Sequence, residues 1–197
     1  MEKIVFATNS AHKLRELRQM LAGRYEVLSL RDIECYDDIP ETADTFEGNA
    51  LIKAQWVKQH YGYDCFADDS GLEVDALGGA PGVMSARYAG VHGDDNANNK
   101  KLLAELTDKA DKRGRFRCAI VLLRDGEEPH VFTGSVEGSI TDKASGDSGF
   151  GYDPIFVPEG MDKTFAQISA EEKNAISHRG KAVAKLVKYL ETSEYDA

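Results

Sequence analysis

The chain opens with the pattern of a strand that leads into a helix. Residues 4–8 form a short apolar run, which predicts a buried strand. Ser10 then offers an N-cap, and the residues after it repeat at helical spacing on one apolar face, formed by Leu14, Leu17 and Leu21. We therefore predict a strand–loop–helix unit over about the first 22 residues.

Two more helices and a strand are predicted in the middle of the chain. A helix from about residue 46 to residue 60 is indicated by four apolar residues at helical spacing, Phe46, Ala50, Ala54 and Val57. Residues 63–67 have the pattern of a short strand that leads into Asp68-Asp69. Residues 78–82 are expected to form a loop because their glycines and proline disfavour both regular structures. Residues 98–106 predict another helix.

The pattern changes in the second half of the chain. Residues 115–123 and 130–135 are typical of strands, and Asp125-Gly126 between them is a strong hairpin signal. Ser169, with Glu172 three residues later, is a capping box, and a last helix is predicted over residues 178–190. Early α/β units followed by a hairpin predict an α/β fold with a mixed sheet flanked by helices.

Composition narrows the class of protein. At 197 residues, with 42% hydrophobic and 29% charged residues, the chain is expected to form one soluble domain, residues 1–197. It has no apolar run of the length of about 20 residues that crosses a bilayer, so we expect no membrane partner. Three cysteines with no CxxC spacing indicate reduced thiols in a cytoplasmic protein. A net charge of −10 argues against binding to a nucleic-acid backbone.

Five polar clusters lie where predicted strands and helices begin or end, which is where α/β proteins place binding groups. They supply a lysine beside an amide-rich turn, paired carboxylates, aromatic rings and a His-Arg pair. We interpret this set as a site for a magnesium–nucleoside triphosphate. The clusters are Thr8-Asn9-Ser10-Ala11-His12-Lys13, Asp68-Asp69-Ser70-Gly71-Leu72, Gly78-Gly79-Ala80-Pro81-Gly82, Phe150-Gly151-Tyr152-Asp153-Pro154 and Ser177-His178-Arg179.

The first cluster is suited to a phosphate group. Thr8, Asn9 and Ser10 place backbone N–H groups and small polar side chains at a helix N-terminus, and Lys13 lies one turn into that helix. The alternative is a plain N-cap by Ser10 with a solvated lysine. The segment is not a GxxxxGK[ST] loop, which excludes the P-loop class.

The acidic pair Asp68-Asp69 suits a hard cation. Adjacent carboxylates at a strand end repel each other unless a cation or a donor compensates, and Mg²⁺ is the natural partner near phosphates. Glu41 and Glu73 are further carboxylates that could join them. The alternative is an acidic turn in which Asp69 caps a backbone N–H.

The fourth cluster suits a flat aromatic ligand. Gly151 permits close approach, Phe150 or Tyr152 can stack, and Asp153 can accept a hydrogen bond from a base N–H. The alternative is a pair of core aromatics at a strand edge. Two further groups of donors are expected nearby, Lys173 for a phosphate and His178-Arg179 at the start of the last helix.

In this order, the motifs resemble the Ham1/RdgB family of inosine/xanthosine triphosphate pyrophosphatases. The resemblance covers residues 4 to about 190. It rests on Phe6-Ala7-Thr8-Asn9, Lys13-Leu14-Arg15-Glu16, Glu41-Thr42, Thr45-Phe46, Asn49-Ala50, the clusters at 67–72, 78–82 with 85–88, and 149–154, and on Glu172-Lys173-Asn174 with Ile176-Ser177-His178-Arg179.

The resemblance implies a homodimeric, magnesium-dependent enzyme that hydrolyses ITP, dITP and XTP to the monophosphate and pyrophosphate. It also implies an elongated mixed sheet with two helical lobes and the active site in the cleft between them. Asp69 is the expected catalytic residue and, with Glu41, the expected Mg²⁺ ligand. The expected substrate-binding residues are Thr8, Asn9, Ser10, Lys13, Ser70, Phe150, Gly151, Tyr152, Asp153, Lys173, His178 and Arg179.

Two other functions are compatible with the same residues. One is a nucleoside triphosphate pyrophosphatase that acts on modified pyrimidine or standard nucleotides. The other is a nucleotide sensor without catalytic activity.

Overall fold

The computed structural model describes residues 1–193, so the last four residues of the predicted domain lie outside the described part. Within this range the chain forms six strands: β1 (Glu2–Phe6), β2 (Tyr25–Leu28), β3 (Cys65–Val74), β4 (Arg113–Leu123), β5 (His130–Ile140) and β6 (Phe156–Pro158). The α-helices are α1 (Ala11–Met20), α2 (Phe46–Tyr61), α3 (Asp95–Leu106), α4 (Ala170–Ile176) and α5 (His178–Ser193). None of the helices in residues 1–193 combines the length and the apolar character that a bilayer crossing requires.

The strands form one sheet in the order β2-β1-β3-β4-β5-β6. β1 pairs in parallel with β2 and with β3, and β5 pairs antiparallel with β6. The two strands of the predicted hairpin, β4 and β5, are neighbours in the sheet. The predicted α/β fold with a mixed sheet and flanking helices is therefore confirmed.

The chain divides into two compact units. The first comprises Met1–Asp69, Ala119–Thr133 and the chain from Ala182 onward. Its core combines residues of β1, α2, β3 and β4 with residues from the segment after β2. The apolar face predicted for α2 is confirmed, because Phe46, Ala50, Ala54 and Val57 are all buried.

The second unit comprises Ser70–Cys118 and Gly134–Lys181. Its core contains Leu102 and Leu106 from α3 and three phenylalanine rings that contact one another. The ring centroid of Phe116 lies 4.6 Å from that of Phe156 and 5.9 Å from that of Phe165. All three rings are buried, and aromatic side chains bury large apolar areas, so this group helps to hold the unit together.

The strand that carries the acidic pair is longer than predicted. The prediction ended it at residue 67 and placed Asp68-Asp69 at the strand end, whereas β3 continues through these residues to Val74. That prediction was wrong because Asp-Ser-Gly has low strand propensity in isolation. In the sheet, β3 lies between β1 and β4, and Leu72 and Val74 are fully buried, so tertiary packing overrides the local preference.

Helix ends follow side-chain caps. α3 begins at Asp95, three residues before the predicted start, because the side chain of Asp94 accepts a hydrogen bond from the N–H of Ala97 at 3.1 Å. Ser169 caps α4 as predicted and accepts from the N–H of Glu172 at 3.1 Å.

The sequence analysis missed the short strands β2 and β6, because runs of four and three residues carry little periodicity.

Candidate active site

The turn from β1 into α1 is a helix cap whose lysine is engaged. Ser10 is the N-cap of α1 and accepts from the N–H of Lys13 at 3.3 Å, while Thr8 accepts from the N–H of Ser10 at 3.1 Å. Asn9 is exposed. The Nζ atom of Lys13 lies 2.7 Å from Oδ2 of Asp68, which is only 3% exposed. The alternative of a solvated lysine is therefore excluded, and the cluster presents an ammonium group beside a helix N-terminus.

A second lysine, which sequence reasoning missed, contacts Glu41 and the backbone of Asp68. The Nζ atom of Lys53 is 3.2 Å from Oε1 of Glu41 and donates a hydrogen bond to the backbone oxygen of Asp68. One turn earlier on α2, Nδ2 of Asn49 donates to Oδ2 of Asp69 at 3.1 Å. The available signal was a polar residue directly before each of two buried alanines at i, i+4 spacing, in Asn49-Ala50 and Lys53-Ala54.

Five charged residues form what we call the lysine–carboxylate cluster: Lys13, Glu41, Lys53, Asp68 and Asp69. Charge and burial shift the pKa values of two of them. Burial, together with the negative charges of Glu41 and Asp68, raises the pKa of Asp69 to about 6, although Lys53 and Asn49 oppose the shift. Burial disfavours the charge of Lys53, but the carboxylates around it outweigh burial and raise its pKa. Strongly perturbed groups that face one another in this way are typical of functional sites.

Glu73, the remaining acidic candidate, is engaged by arginines. Glu73 pairs with Arg117 at 3.4 Å and with Arg115 at 4.0 Å, so its carboxylate is engaged in a surface ion-pair group. Ser70 directly follows Asp69 on β3 and is half-buried. In residues 1–193 no group of three or more His, Cys, Asp or Glu side chains is arranged to hold a metal ion. Protein carboxylates alone therefore do not form a closed metal cage in the described part of the chain.

The fourth cluster, residues 150–154, which we call the aromatic cluster, contains one partner of a buried ion pair. Asp153 is 2% exposed, and its Oδ2 atom accepts from Nζ of Lys173 at 2.6 Å and from the N–H of Phe150 at 3.1 Å. The same ammonium group lies 4.7 Å from the ring centroid of Phe150 and 5.7 Å from that of Phe165. The structure brings Asp153, Phe150 and Lys173 together, although the sequence analysis expected Lys173 at a phosphate, and protein donors already engage the Asp153 carboxylate.

The two aromatics of this cluster have opposite environments. Phe150 is 59% exposed, whereas Tyr152 is 4% exposed and donates a hydrogen bond from its hydroxyl to the backbone oxygen of Ser85 at 2.6 Å. Gly151 between them adopts a left-handed backbone with φ +59°. The alternative of a core aromatic therefore applies to Tyr152, and the ring that can stack on a ligand is that of Phe150.

The His-Arg pair lies in the first turn of α5. Ser177 ends α4 and also caps α5, because its hydroxyl accepts from the N–H of Gly180 at 3.1 Å. The His178 ring stacks on Phe116 with centroids 4.9 Å apart and planes 14° apart, and Arg179 is half-buried. Phe116 in turn contacts Phe165, beside which Lys173 lies. His178 and Lys173 are therefore connected through aromatic side chains.

Ammonium groups held against carboxylates suit a polyphosphate, and an exposed ring beside an ammonium group suits an aromatic base. With a mixed sheet and flanking helices, these features define the class of a nucleotide-binding α/β protein. The chain belongs to the Ham1 family, whose model matches residues 4–189.

The chain is also similar to individual proteins along nearly its whole length. It is 53% identical over 188 residues to the dITP/XTP pyrophosphatase of Flavobacterium psychrophilum, covering 95% of this chain and 98% of that protein. It is 46% identical over 194 residues to the dITP/XTP pyrophosphatase of Bacillus subtilis, covering 97% and 98%.

Solved structures agree with this assignment. The Ham1 protein of Staphylococcus aureus matches with a TM-score of 0.93 at 42% identity, covering 98% of this chain and 100% of that one. The nucleoside-triphosphatase / dITP/XTP pyrophosphatase of Mycobacterium abscessus matches with a TM-score of 0.83 at 48% identity, covering 93% and 98%. The family resemblance inferred from the sequence motifs is therefore confirmed.

Proposed function

We propose that this protein hydrolyses deaminated purine nucleoside triphosphates, namely ITP, dITP and XTP, to the monophosphate and pyrophosphate. Relatives at about half sequence identity carry the name dITP/XTP pyrophosphatase. The structural observation that carries the proposal is the lysine–carboxylate cluster, in which Lys13 and Lys53 both contact Asp68. Such a cluster can neutralise a polyphosphate and activate water in one place.

Asp69 is the proposed base. Its pKa of about 6 lies close enough to neutral pH for the carboxylate to accept a proton from water as that water attacks the α-phosphorus. Asp68 is suited to a different role, because its carboxylate holds Lys13 in place. Lys13 and Lys53 neutralise the negative charge that develops on the departing pyrophosphate.

The residues present fit a magnesium ion. Glu41 and Asp69 provide two carboxylates, and Mg²⁺ commonly binds through one or two carboxylates while phosphate oxygens and waters complete its shell. Burial, with a smaller contribution from the charges of Glu41 and Asp68, raises the pKa of Asp69, so a cation beside it would favour the charged carboxylate. When bound, Mg²⁺ would supply charge neutralisation at the phosphate oxygens.

Base recognition is assigned to the aromatic cluster. Phe150 offers an exposed ring for stacking, and the ammonium group of Lys173 lies beside that ring and pairs with Asp153. We therefore move the proposed role of Lys173 from the phosphate tail to the base. Donors from Lys173, His178 or Arg179 can hydrogen-bond to the 6-oxo acceptor of inosine and xanthosine. Against the 6-amino group of adenosine, a donor would face a donor and no hydrogen bond would form. Sites of this kind discriminate by about 10⁴.

Assembly and location are proposed on separate grounds. We propose a homodimer, as the family resemblance implies, and light scattering on the purified protein tests it. We propose a cytoplasmic location, which is supported by three buried cysteines that form no disulfide, because thiols stay reduced in that compartment.

The function is tested with a panel of ITP, dITP, XTP, GTP, ATP and dUTP, measuring pyrophosphate release with Mg²⁺ and with a chelator. We expect kcat/KM for ITP and XTP to exceed that for ATP by about 100-fold or more, and turnover to require Mg²⁺. Absence of pyrophosphate release from every triphosphate would favour a sensor. A preference for dUTP or ATP would favour the other pyrophosphatase function.

Base selectivity is tested with Arg179→Met, which keeps the stem but removes the donors. We expect the ITP/ATP ratio of kcat/KM to fall by about tenfold or more, because ITP loses a donor that ATP never used. Arg31→Met, at an exposed position, is the control and should leave the ratio unchanged. An undiminished ratio in Arg179→Met would assign selectivity to other residues.

A further inference from the structure

The peptide of Gly151 is held at both of its polar groups by one helix. Its N–H donates to Oδ2 of Asp95 at 2.9 Å, and its carbonyl oxygen accepts from Nδ2 of Asn99 at 3.0 Å. Asp95 and Asn99 are four residues apart on α3, so their side chains leave the helix on the same face. We call this pair the α3 clamp.

The start of α3 leaves Asp95 available for this contact. The N-cap role belongs to Asp94, whose side chain accepts from the N–H of Ala97. The helix itself is anchored by Asn98, which donates to the backbone oxygen of Ala86 at 3.1 Å and accepts from the N–H of Ala89 at 2.7 Å. The α3 clamp therefore projects from a fixed element.

The neighbours of Gly151 are held as well. The N–H of Phe150 donates to Asp153, and the hydroxyl of Tyr152 donates to the backbone oxygen of Ser85. Both residues that flank Gly151 are thus fixed through backbone or side chain, while the Phe150 ring is 59% exposed. An exposed ring on a segment held by this many hydrogen bonds is suited to contact with a ligand. The segment is already ordered, so ligand binding loses little conformational entropy there.

We infer that Asp95 and Asn99 are positioning residues for base recognition, which hold the Gly151 peptide so that the Phe150 ring and the Lys173–Asp153 pair are ready to receive a base. This inference rests on the proposed function, because it takes a purine base as the ligand of that cluster. Neither residue touches the base in this scheme. Without the α3 clamp, the left-handed Gly151 is free to change conformation, and base binding must first order the segment.

The test measures the two halves of the substrate separately by calorimetry, with IMP and with pyrophosphate as probes. Asn99→Leu has nearly the same shape but cannot donate to Gly151. We expect its affinity for IMP to fall about tenfold and its affinity for pyrophosphate to stay within about twofold of wild type. In turnover of ITP, KM should rise by a similar factor while kcat changes little, because the variant loses binding rather than transition-state stabilisation.

Asn96→Leu is the matched control, since it makes the same chemical change at an exposed position of α3. Asp95→Asn is a milder second variant, which keeps an acceptor oxygen for the Gly151 N–H and should lose IMP affinity by about threefold. Equal losses for IMP and pyrophosphate, or no loss for IMP in either variant, would overturn the inference. A wild-type protein that neither binds IMP nor hydrolyses ITP would overturn the proposed function instead.

Discussion

At the scale of single residues, neighbouring side chains of the same type acquire different chemistry. Asp68 is 3% exposed and holds Lys13, whereas Asp69 accepts from Asn49 and has a pKa raised to about 6. Because successive side chains of a strand leave on opposite sides, two adjacent aspartates on β3 meet different surroundings. The strand, rather than the residue type, therefore places one aspartate in an ion pair and gives the other the raised pKa that its proposed role as base requires.

Asp69→Asn is expected to remove turnover and to stabilise the metal-free protein at about pH 8 by about 1–2 kcal/mol. A carboxyl group with a raised pKa binds its proton more tightly in the folded than in the unfolded state, so wild-type stability falls as pH rises from about 4 to about 6. The gain of the variant should be complete above this window and absent below it. Urea unfolding in a chelator at both ends of the window measures the difference.

Asp38→Asn, at an exposed position, is the control and should change the free energy of unfolding little at either pH. Equal stability of Asp69→Asn and wild type at about pH 8 would contradict a folded-state pKa of Asp69 that burial raises. Residual kcat above about one tenth of wild type, which corresponds to about 1.4 kcal/mol of barrier, would exclude Asp69 as the base.

At the scale of elements, the loop before β6 needs glycine twice for different reasons. Gly149 has φ +76°, and a Cβ atom there would lie 2.1 Å from Oδ2 of Asp153. Gly151 has φ +59°, and a Cβ atom there would meet nothing within 4 Å. The first glycine therefore leaves space for the carboxylate that binds Lys173, and the second only permits a left-handed backbone.

Gly151→Ala should cost about 1–2 kcal/mol of folding free energy, the usual cost of a left-handed non-glycine residue. Gly149→Ala should cost clearly more, because it adds a clash that displaces Asp153 from its ammonium partner in a buried site. Chemical denaturation of both variants at the same pH measures the difference. Equal losses for the two alanines would show that the Asp153 carboxylate moves aside without cost.

At the scale of the whole molecule, each compact unit is assembled from separate stretches of the chain. The first unit joins the N-terminal 69 residues to Ala119–Thr133 and to the chain from Ala182 onward. Its core contains Cys35 and Cys65, while Cys118 belongs to the second unit. None of the three cysteines is in a disulfide and all are at most 4% exposed, so their reaction with a thiol reagent reports on the opening of both units.

Native protein is expected to resist alkylation by iodoacetamide at all three cysteines at about pH 8, and each should react once urea unfolds the chain. Burial shields the sulfur atoms and raises the pKa of Cys65 to about 12, which suppresses its reactive thiolate. An added thiol at an exposed position, in Ala22→Cys, is the control and should react at once. Mass spectrometry locates the label, and native labelling of Cys118 alone would indicate that the second unit opens independently.

The sequence by itself determined the features that depend on neighbours along the chain. The apolar face of α2, the caps at Ser10 and Ser169 and the β4–β5 hairpin follow from local periodicity and local hydrogen bonding, and the ordered motifs determined the family. The same local rules failed at Asp68-Asp69, where the sheet imposed a strand on a turn-like segment.

Only the tertiary structure decided which distant residues meet. Lys53 contacts the backbone of Asp68 fifteen residues away, and the α3 clamp reaches Gly151 across 52 and 56 residues. It also decided that Tyr152 is in the core and Phe150 is exposed, although both aromatics flank the same glycine. Such contacts depend on how strands and helices pack, and packing is set by the whole set of buried surfaces rather than by any one stretch of sequence.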